Sequence, residues 1–368
     1  MLSLAALTIR LAQLTRPDRA ASWDPVGLQL GDPAREVRRV AVCHEVTEAV
    51  VERLVADPTE AVVSYHPLLF RPTTRLVAGR SASGRAWRLV SAGIGLLVTH
   101  TDFDACPGGT ADALAAALRL EDVHRFGPVE GRSQVKVVVF APEESVGQIA
   151  SAMAEAGAGR IGNYQRCFFR TPGTGSFTSG PGASPVVGKA AETTATPETR
   201  MEMIAPESAR NAVIAALVAA HPYEEPAFDV FETSSNHGLI GRVGSWQGKL
   251  GDLAESVAVS LGRKAMRVAG ELDRRVSRVA VVPGSGASFL DAARSSGADV
   301  IVTGDVDHHR VVAALDGGMA VIDPGHAATE VPGVRALVEM VRGLDVEVVD
   351  LTGEWAGPWV DIDSSPLP

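Results

Sequence analysis

The chain has 368 residues, enough for two or three domains, and its 46% hydrophobic and 21% charged residues are typical of a globular protein. Acidic residues outnumber basic residues by 44 to 34, and the formal charge of −10 excludes a generally basic nucleic-acid-binding surface. The longest charge-free apolar stretches, such as 212–220, are about half the length of a bilayer helix, and three cysteines are too few for a disulfide framework. We therefore expect a cytoplasmic protein with no membrane contact.

The first stretch of the chain, up to about residue 126, alternates short apolar runs with helix-like segments. It begins with MLSLAALTIRLAQL, which has the spacing of an amphipathic helix and lacks the order of a signal peptide. Strand–helix alternation of this kind is typical of a parallel sheet flanked by helices. We predict strands at Val40–Cys43, Ala61–Ser64 and Gly95–Thr99 and helices at Thr47–Ala56, Ser83–Ala92 and Thr110–Leu118.

The middle of the chain has a different order of elements. Two strand–helix–strand runs follow one another, which matches the ferredoxin-like β-α-β-β-α-β unit. Between them lies TPGTGSFTSGPGASP (Thr171–Pro185), in which seven of fifteen residues are Gly or Pro, so we predict a loop there. We predict strands at Gln134–Phe140, Cys167–Arg170, Thr199–Ile204 and Ala227–Phe231 and helices at Val146–Ala156 and Ser208–Ala219.

The last stretch, from about residue 237, returns to the pattern of the first. The whole pattern predicts an α/β fold, in which a mostly parallel sheet core domain (1–128 and 237–368) is split by an inserted α+β ferredoxin-like domain (129–236). In the last stretch we predict strands at Arg278–Val282, Val300–Thr303, Ala320–Asp323 and Val346–Leu351 and helices at Leu290–Ser296, Asp307–Leu315 and Thr329–Arg342.

Candidate metal ligands follow two predicted strands in the first half of the core domain. In AVVSYHPLLF, Tyr65 and His66 come directly after an apolar run. In LLVTHTDFDACPGG, the side chains of His100, Asp102 and Asp104 share one face if the chain stays extended. Ligands of open α/β sheets bind beyond the carboxyl ends of the strands, so this placement favours a binding site.

Two further segments carry such groups in the second half of the core domain. VIVTGDVDHH contains Asp305 and the adjacent pair His308 and His309 after an apolar run. In AVIDPGHAATE, His326 and Glu330 are four residues apart at a helix start, so an imidazole and a carboxylate can reach one cation. Each segment taken alone also fits an ordinary turn or helix cap.

Taken together, these four segments favour a metal site more strongly than any one of them does alone. Neutral imidazoles mixed with carboxylates, without thiolates, suit zinc, manganese or iron with open coordination positions. A carboxylate from each half could help to hold a pair of metals, and paired metals lower the pKa of a bridging water. Cys106, beside Asp104, has no neighbour in the sequence that would lower its pKa, so we interpret it as structural.

Five motifs, taken in chain order, are specific enough together to indicate a family. SWDPVGLQLGDP, SYHPLLF, THTDFDACPGG, TGDVDHH and DPGHAATE, in this order, resemble the GTP cyclohydrolase I type 2 homologue family, the dinuclear-metal proteins related to the NGG-interacting factor. RIGNYQRCFF, GTGSF…GPGASPVVGK and AAHPYEEPAFDVFE resemble the PII-like inserted domain of the longer members. The resemblance implies a toroidal homohexamer whose metal sites face an internal cavity.

The resemblance also implies which residues bind the metals, and the chain departs from the family pattern near them. The family usually has His-His-Pro where this chain has Tyr65-His66-Pro67, and Tyr65 is a poor ligand unless it ionises. The second metal is therefore expected to be weak or missing. The ligands that the family implies are His66, Asp104, His326 and Glu330.

A second departure lies nearby. The family commonly has Leu-Asp where this chain has His44-Glu45, and either side chain could approach the site because Cys43 ends a predicted strand. Our hypothesis is that His44 compensates for the missing imidazole. Trp23-Asp24-Pro25 is interpreted as a loop packed near the cavity. The residues that could serve a second metal or contact the ligands are Tyr65, His44, Glu45, His100 and Asp102.

These observations lead to two functional hypotheses. The first is a hydrolase with one or two divalent ions per chain, zinc foremost and manganese or iron as alternatives, which uses a metal-activated water on a nucleotide or related phosphate-bearing substrate. His308 or His309 is a candidate proton donor because of its place at a strand end. The second is a non-catalytic metal-binding regulatory or scaffold assembly with a ligand-sensing insert. The acidic charge argues against direct nucleic-acid contact in either case.

Overall fold

The structure is a computed structural model that describes residues 2–57, 59–130, 133–161, 164–189, 191–233 and 238–354. The chain divides into two compact units, one formed by residues 1–131 with 237–368 and the other by residues 132–236. The predicted boundary at 236/237, residues 162 and 163 of the RIGNYQRCFF motif, and the end of the last predicted domain beyond 354 lie outside the described residues.

The described strands are β1 (Leu2–Ser3), β2 (Gly27–Leu30), β3 (Glu36–Val37), β4 (Arg39–Cys43), β5 (Ala61–Ser64), β6 (Gly95–Val98), β7 (Glu121–Val129), β8 (Gln134–Ala141), β9 (Phe169–Thr178), β10 (Thr193–Pro206), β11 (Phe228–Thr233), β12 (Gly238–Lys249), β13 (Arg267–Ala269), β14 (Arg275–Ser285), β15 (Val300–Gly304), β16 (Ala320–Asp323) and β17 (Glu347–Asp350). The described α-helices are α1 (Leu4–Thr15), α2 (Glu48–Ala56), α3 (Ala82–Ser91), α4 (Thr101–Ala105), α5 (Thr110–Ala117), α6 (Glu143–Glu155), α7 (Arg210–Ala220), α8 (Leu250–Ser260), α9 (Leu290–Ser295), α10 (His308–Asp316) and α11 (His326–Arg342). Within these residues, no helix combines the length and the apolar character needed to cross a bilayer.

The first sheet of unit 1 has the strand order β17-β4-β5-β6-β2. Its first three pairs are parallel, and β2 pairs antiparallel with β6 at the edge. The strands β5 and β6 are completely buried because both faces of the sheet are covered. Alternate residues of β4 and β5 contact α1 and α11 on one face and α2 and α3 on the other.

The second sheet of unit 1 is mixed, with the order β13-β16-β15-β14-β12-β7. Only β14–β15 and β15–β16 are parallel, whereas β13–β16, β12–β14 and β7–β12 are antiparallel. The prediction of a mostly parallel sheet is therefore wrong here. For β7 and β12 the reason is that they flank residues 132–236 in the chain and pair with each other as the strands of a hairpin do, and a hairpin pair is antiparallel.

Unit 2 has the element order β8-α6-β9-β10-α7-β11, as in ferredoxin-like units. Its sheet is antiparallel throughout, with the order β11-β8-β10-β9, and both helices contribute to its apolar core. The predicted loop 171–185 is wrong in its first half, because residues 171–178 belong to β9 and pair with β10. This Gly- and Pro-containing strand forms the sheet edge, the position at which a strand tolerates Pro172.

Candidate metal centre

The centre of the candidate site is one buried carboxylate, that of Glu330 on α11, which is 2% exposed. Its Oε2 atom lies 2.8 Å from Nε2 of His44 and 3.2 Å from Nε2 of His66. Its Oε1 atom lies 3.0 Å from Nε2 of His326, one helical turn earlier. Three imidazoles from three segments of unit 1 thus converge on a single carboxylate.

The parallel pairing of β4 and β5 explains why two of these imidazoles meet. Cys43 pairs with Ser64, so His44 and Tyr65 follow at the next position of neighbouring strands. The backbone N–H of His66 donates to the carbonyl of His44 at 2.9 Å, which carries the pairing one step beyond the strands. The rings of His44 and His66 then stack, with their centroids 5.1 Å apart and an interplanar angle of 11°.

A glycine leaves room for the carboxylate on the opposite side of the site. Gly284, near the end of β14, has a φ of +63°, and a Cβ atom there would lie 2.6 Å from Oε1 of Glu330. The same Cβ would lie 3.3 Å from Nε2 of His326. A side chain at this position would displace the Glu330–His326 pair, so the close approach requires glycine.

The electrostatics of the cluster keep the carboxylate ionised. Burial opposes ionisation of Glu330, but hydrogen bonds from His326, His44 and His66 outweigh it and hold the pKa of Glu330 well below its ordinary value. Burial lowers the pKa of His44, which favours the neutral imidazole that binds metals. Burial alone would also lower the pKa of His326, but hydrogen bonds to Glu330 and Asp305 outweigh it and raise this pKa to about 9.

The donor set of this cluster fits a divalent transition metal. One ring nitrogen of His44, one of His66 and one carboxylate oxygen of Glu330 all lie within 4.8 Å of one another. Two imidazoles and a carboxylate leave coordination positions open for water or substrate. His66 and His326 are partly exposed, whereas His44 and Glu330 are buried, so the cluster is accessible from the side of the first two.

Tyr65 forms a hydrogen bond with the carboxylate of Asp104 and not with the carboxylate of Glu330. Its hydroxyl donates to Oδ1 of Asp104 at 2.7 Å, and both side chains are buried. Burial, with the nearby carboxylates of Asp104 and Glu330, raises the pKa of Tyr65 well above its ordinary value, so the phenol stays protonated. Burial also raises the pKa of Asp104 to about 7. The structure therefore gives Asp104 a phenol as its partner in place of an imidazole.

His100, Asp102 and Asp104 are predicted to share one face only if the chain stays extended. The segment after β6 is not extended, so this prediction does not apply. Residues Thr101–Ala105 form the short helix α4, in which Oδ1 of Asp102 accepts the backbone N–H of His100 at 2.8 Å. Nδ1 of His100 lies 3.1 Å from Oδ2 of Asp24, and its ring lies 5.2 Å from the ring of His66. His100 thus borders the cluster, and Asp102 orders the turn.

Two carboxylates, those of Asp24 and Asp305, contact imidazoles beside the cluster. The sequence indicates Asp24 in a loop near the cavity and Asp305 after a strand, but it does not predict which imidazole either carboxylate contacts. Buried Asp24 holds His100, and Oδ2 of Asp305 lies 2.7 Å from Nδ1 of His326. Carboxylates that hold the far nitrogen of an imidazole fix its orientation toward a metal. Asp305 also has a φ of +56°, a left-handed conformation that Asp tolerates better than most residues.

Four other side chains considered above are not part of the group formed by His44, His66 and Glu330. Glu45 is half-buried, next to His44, and its carboxylate is not one of the converging atoms. His308 and His309 begin α10 with exposed side chains, and their rings lie 5.4 Å from each other. Cys106 donates to the carbonyl of Phe103 at 3.4 Å, and burial raises its pKa to about 12, so the thiol is unreactive.

A comparison with known families identifies the scaffold. The family model described as Duf34/NIF3 (NGG1p interacting factor 3) matches residues 3–353. The chain belongs to the Duf34/NIF3 family. Two similar proteins are named "GTP cyclohydrolase 1 type 2 homolog" and confirm the resemblance stated above. The Mycobacterium tuberculosis protein is 36% identical over 345 residues, covering 90% of this chain and 89% of its own. The Halalkalibacterium halodurans protein is 33% identical over 344 residues, covering 90% and 91%.

Solved structures show the same fold as this Duf34/NIF3 chain. A Bacillus cereus protein described as related to NIF3 superposes with a TM-score of 0.65 at 31% identity, covering 98% of this chain and 99% of its own. A Staphylococcus aureus protein superposes with a TM-score of 0.66 at 26% identity and the same coverage. The mixed α/β architecture is therefore shared along nearly the whole length of both structures.

Proposed function

We propose that this Duf34/NIF3 protein is a divalent-metal-dependent hydrolase that acts on a nucleotide or a related phosphate-bearing substrate. The observation that carries the proposal is the convergence of His44 and His66 on the buried Glu330 carboxylate. The name shared by the curated relatives supports a GTP cyclohydrolase-type substrate. A bound divalent ion supplies Lewis acidity and lowers the pKa of a water molecule.

Each residue of the cluster has a defined role in this proposal. His44, His66 and Glu330 hold the ion, and zinc is the ion that best suits two imidazoles and a carboxylate. Asp305 holds Nδ1 of His326, which leaves Nε2 directed at Glu330. The partly exposed rings of His66 and His326 mark the side from which substrate enters.

A second function, a non-catalytic metal-binding regulatory assembly, is favoured by one observation. The Tyr65 hydroxyl already occupies Asp104, so a carboxylate that could hold a second ion has a protein partner instead. In this alternative the metal is structural and the unit 132–236 senses a ligand. The family resemblance supports a PII-like unit and a cytoplasmic ring of six copies, and the mass of the particle in solution by light scattering tests the ring.

The test of the proposed function separates metal binding from hydrolysis. Protein purified without a histidine tag is analysed for metal per chain by plasma mass spectrometry, and then for hydrolysis of GTP and other phosphate-bearing compounds. Glu330→Gln and His44→Gln are expected to lose metal and hydrolysis together, because each removes a converging donor. His124→Gln, which changes an exposed imidazole on β7, is the matched control and is expected to retain both.

Two results would contradict the proposal in different ways. Full metal content in both Glu330→Gln and His44→Gln would mean that the ion is held elsewhere. Normal metal content in the wild type, with no hydrolysis of any phosphate-bearing compound, would exclude the hydrolase and leave the regulatory assembly.

A further inference from the structure

Two large aromatic side chains are exposed beside the metal cluster. Trp23 is 59% exposed and Phe70 is 50% exposed, and their ring centroids lie 5.7 Å apart. Trp23 also meets the ring of His100 edge-on at 6.2 Å, and His100 lies 5.2 Å from His66. A continuous series of ring contacts therefore leads from a proposed metal ligand out to two exposed aromatic side chains, whose ring planes lie 57° apart.

The loops that carry these two rings are held in place without using the rings themselves. The side-chain amide of Gln29 donates to the carbonyl of Pro25 at 3.0 Å and to that of Leu69 at 3.2 Å. Its Oε1 atom accepts the backbone N–H of Leu69 at 3.1 Å. One side chain thus ties the loop after Trp23 to the residue before Phe70, and such preorganisation lowers the entropy cost of binding a ligand.

Uncompensated positive charge follows Phe70 directly. The loop 71–80 is exposed throughout and contains Arg71, Arg75 and Arg80, although the whole chain has a formal charge of −10. None of these three guanidinium groups forms an ion pair with any residue in the described part of the chain. Guanidinium groups bind phosphate through paired hydrogen bonds, so the loop offers three such groups to an anion.

We propose that Trp23 and Phe70 form a subsite on which the planar heteroaromatic ring of a mononucleotide stacks, with its phosphates toward the arginine loop 71–80. The inference rests on the proposed function, because it places the substrate of that metal cluster. Base–aromatic stacking tolerates different bases, so the subsite selects a ring more than a particular nucleobase. Three arginines in an acidic protein suit one short polyphosphate, whereas a nucleic-acid chain needs a longer basic surface.

The experiment measures the binding of GTP, ATP, CTP, UTP and inorganic triphosphate to the full chain by titration calorimetry, with chelator present to prevent metal-dependent hydrolysis. Trp23→Leu and Phe70→Leu are expected to weaken nucleotide binding about tenfold, within the range for loss of one stacked base, and to leave triphosphate binding unchanged. Arg71→Gln combined with Arg75→Gln is expected to weaken both kinds of probe. Trp87→Leu, which removes another exposed tryptophan, is the matched control and is expected to bind like the wild type.

Three results would overturn the subsite. They are wild-type protein that binds none of the four nucleotides, Trp23→Leu and Phe70→Leu variants that bind GTP as tightly as the wild type, and a changed particle mass in either variant. The last result would show that the rings pack against a second copy of the chain. A wild type that binds GTP through Trp23 yet hydrolyses nothing when loaded with metal would support the subsite and overturn the hydrolase.

Discussion

His44 and Tyr65 directly follow two neighbouring parallel strands, with their ring centroids 5.6 Å apart, but their side chains bind different carboxylates. His44 turns its imidazole to Glu330, whereas Tyr65 turns its hydroxyl to Asp104. His44, which follows β4, can therefore supply the second imidazole of the site, although Tyr65 after β5 supplies a phenol. This exchange supports the hypothesis that His44 compensates for Tyr65, and it predicts how the metal content responds to substitution.

Tyr65→His is expected to raise the metal content from about one to about two ions per chain, because it adds an imidazole next to a freed Asp104 carboxylate. The measurement is plasma mass spectrometry on tag-free protein. Tyr65→Phe is the control, because it frees Asp104 without adding a ligand and is expected to stay at about one ion. Equal metal content in Tyr65→His and Tyr65→Phe would contradict this account.

Part of this site could be predicted from the sequence and part could not. His66 directly follows an apolar run, and the four-residue spacing of His326 and Glu330 puts them on one helical face, so their proximity follows from local rules. The partners of Asp24 and Asp104 depend on how separate segments pack, since 76 positions separate Asp24 from His100. No short-range pattern encodes such a contact.

At the scale of elements, the turn at the end of β14 positions the cluster. Gly284→Ala is expected to lower metal affinity at least about tenfold, because the added Cβ would meet Glu330 and His326. Gly318→Ala is a matched control, since Gly318 also has a positive φ but has no atom near its Cβ position. Both variants are expected to lose about 1 kcal/mol of stability through backbone strain, and metal titration separates them. Equal metal affinity in the two variants would show that the turn does not shape the site.

An ion pair between a buried arginine and a half-buried aspartate joins α5 to β12. Arg242 is completely buried, and it donates to Asp112 and to the backbone carbonyls of Leu239 and Gly241. Burial alone would raise the pKa of Asp112, but the hydrogen bond and charge of Arg242 lower it below the ordinary 3.8. The charge of Asp112 therefore stabilises the fold above about pH 4, and this contribution is lost as the pH falls through the lower folded pKa.

Asp112→Asn is expected to cost about 3 kcal/mol at pH 7, because it leaves the guanidinium of Arg242 buried without a counter-charge. The difference from the wild type should shrink as the pH falls below about 4, where Asp112 itself becomes protonated. Urea unfolding at several pH values measures this difference in the free energy of unfolding. Asp291→Asn removes an exposed partner of Arg294 and should cost less than about 0.5 kcal/mol. A difference in unfolding free energy between Asp112→Asn and the wild type that does not change with pH would contradict the stabilising role of the Asp112 charge.

The elements themselves were predictable where burial is symmetric. The apolar runs Val40–Cys43, Ala61–Ser64 and Val300–Thr303 form strands as expected, because strands buried on both faces leave a continuous apolar signal. The long strands β7 and β12 were missed. The first five residues of β7 are all exposed, and β12 is rich in glycine, so neither strand shows that signal. Their pairing is fixed by the sheet and not by local propensity.

At the scale of the whole molecule, the chain leaves unit 1 and returns to it through two adjacent strands. Val129 at the end of β7 pairs with Gly238 at the start of β12 in antiparallel register. A short turn between those two positions would form an ordinary β-hairpin. We therefore expect the geometry of unit 1 to be independent of the length of chain between these strands.

A variant that replaces residues 131–236 with a two-residue Asn-Gly turn is expected to fold and to keep the metal content of the full chain, because every proposed ligand lies in unit 1. Metal analysis and thermal unfolding measure the outcome. The isolated segment 132–236, which has its own apolar core, is the complementary fragment and is expected to be folded but free of metal. If the deletion variant also hydrolyses the substrate of the full chain, unit 2 is dispensable for the chemistry. Loss of metal from a folded deletion variant would instead mean that the metal centre depends on unit 2.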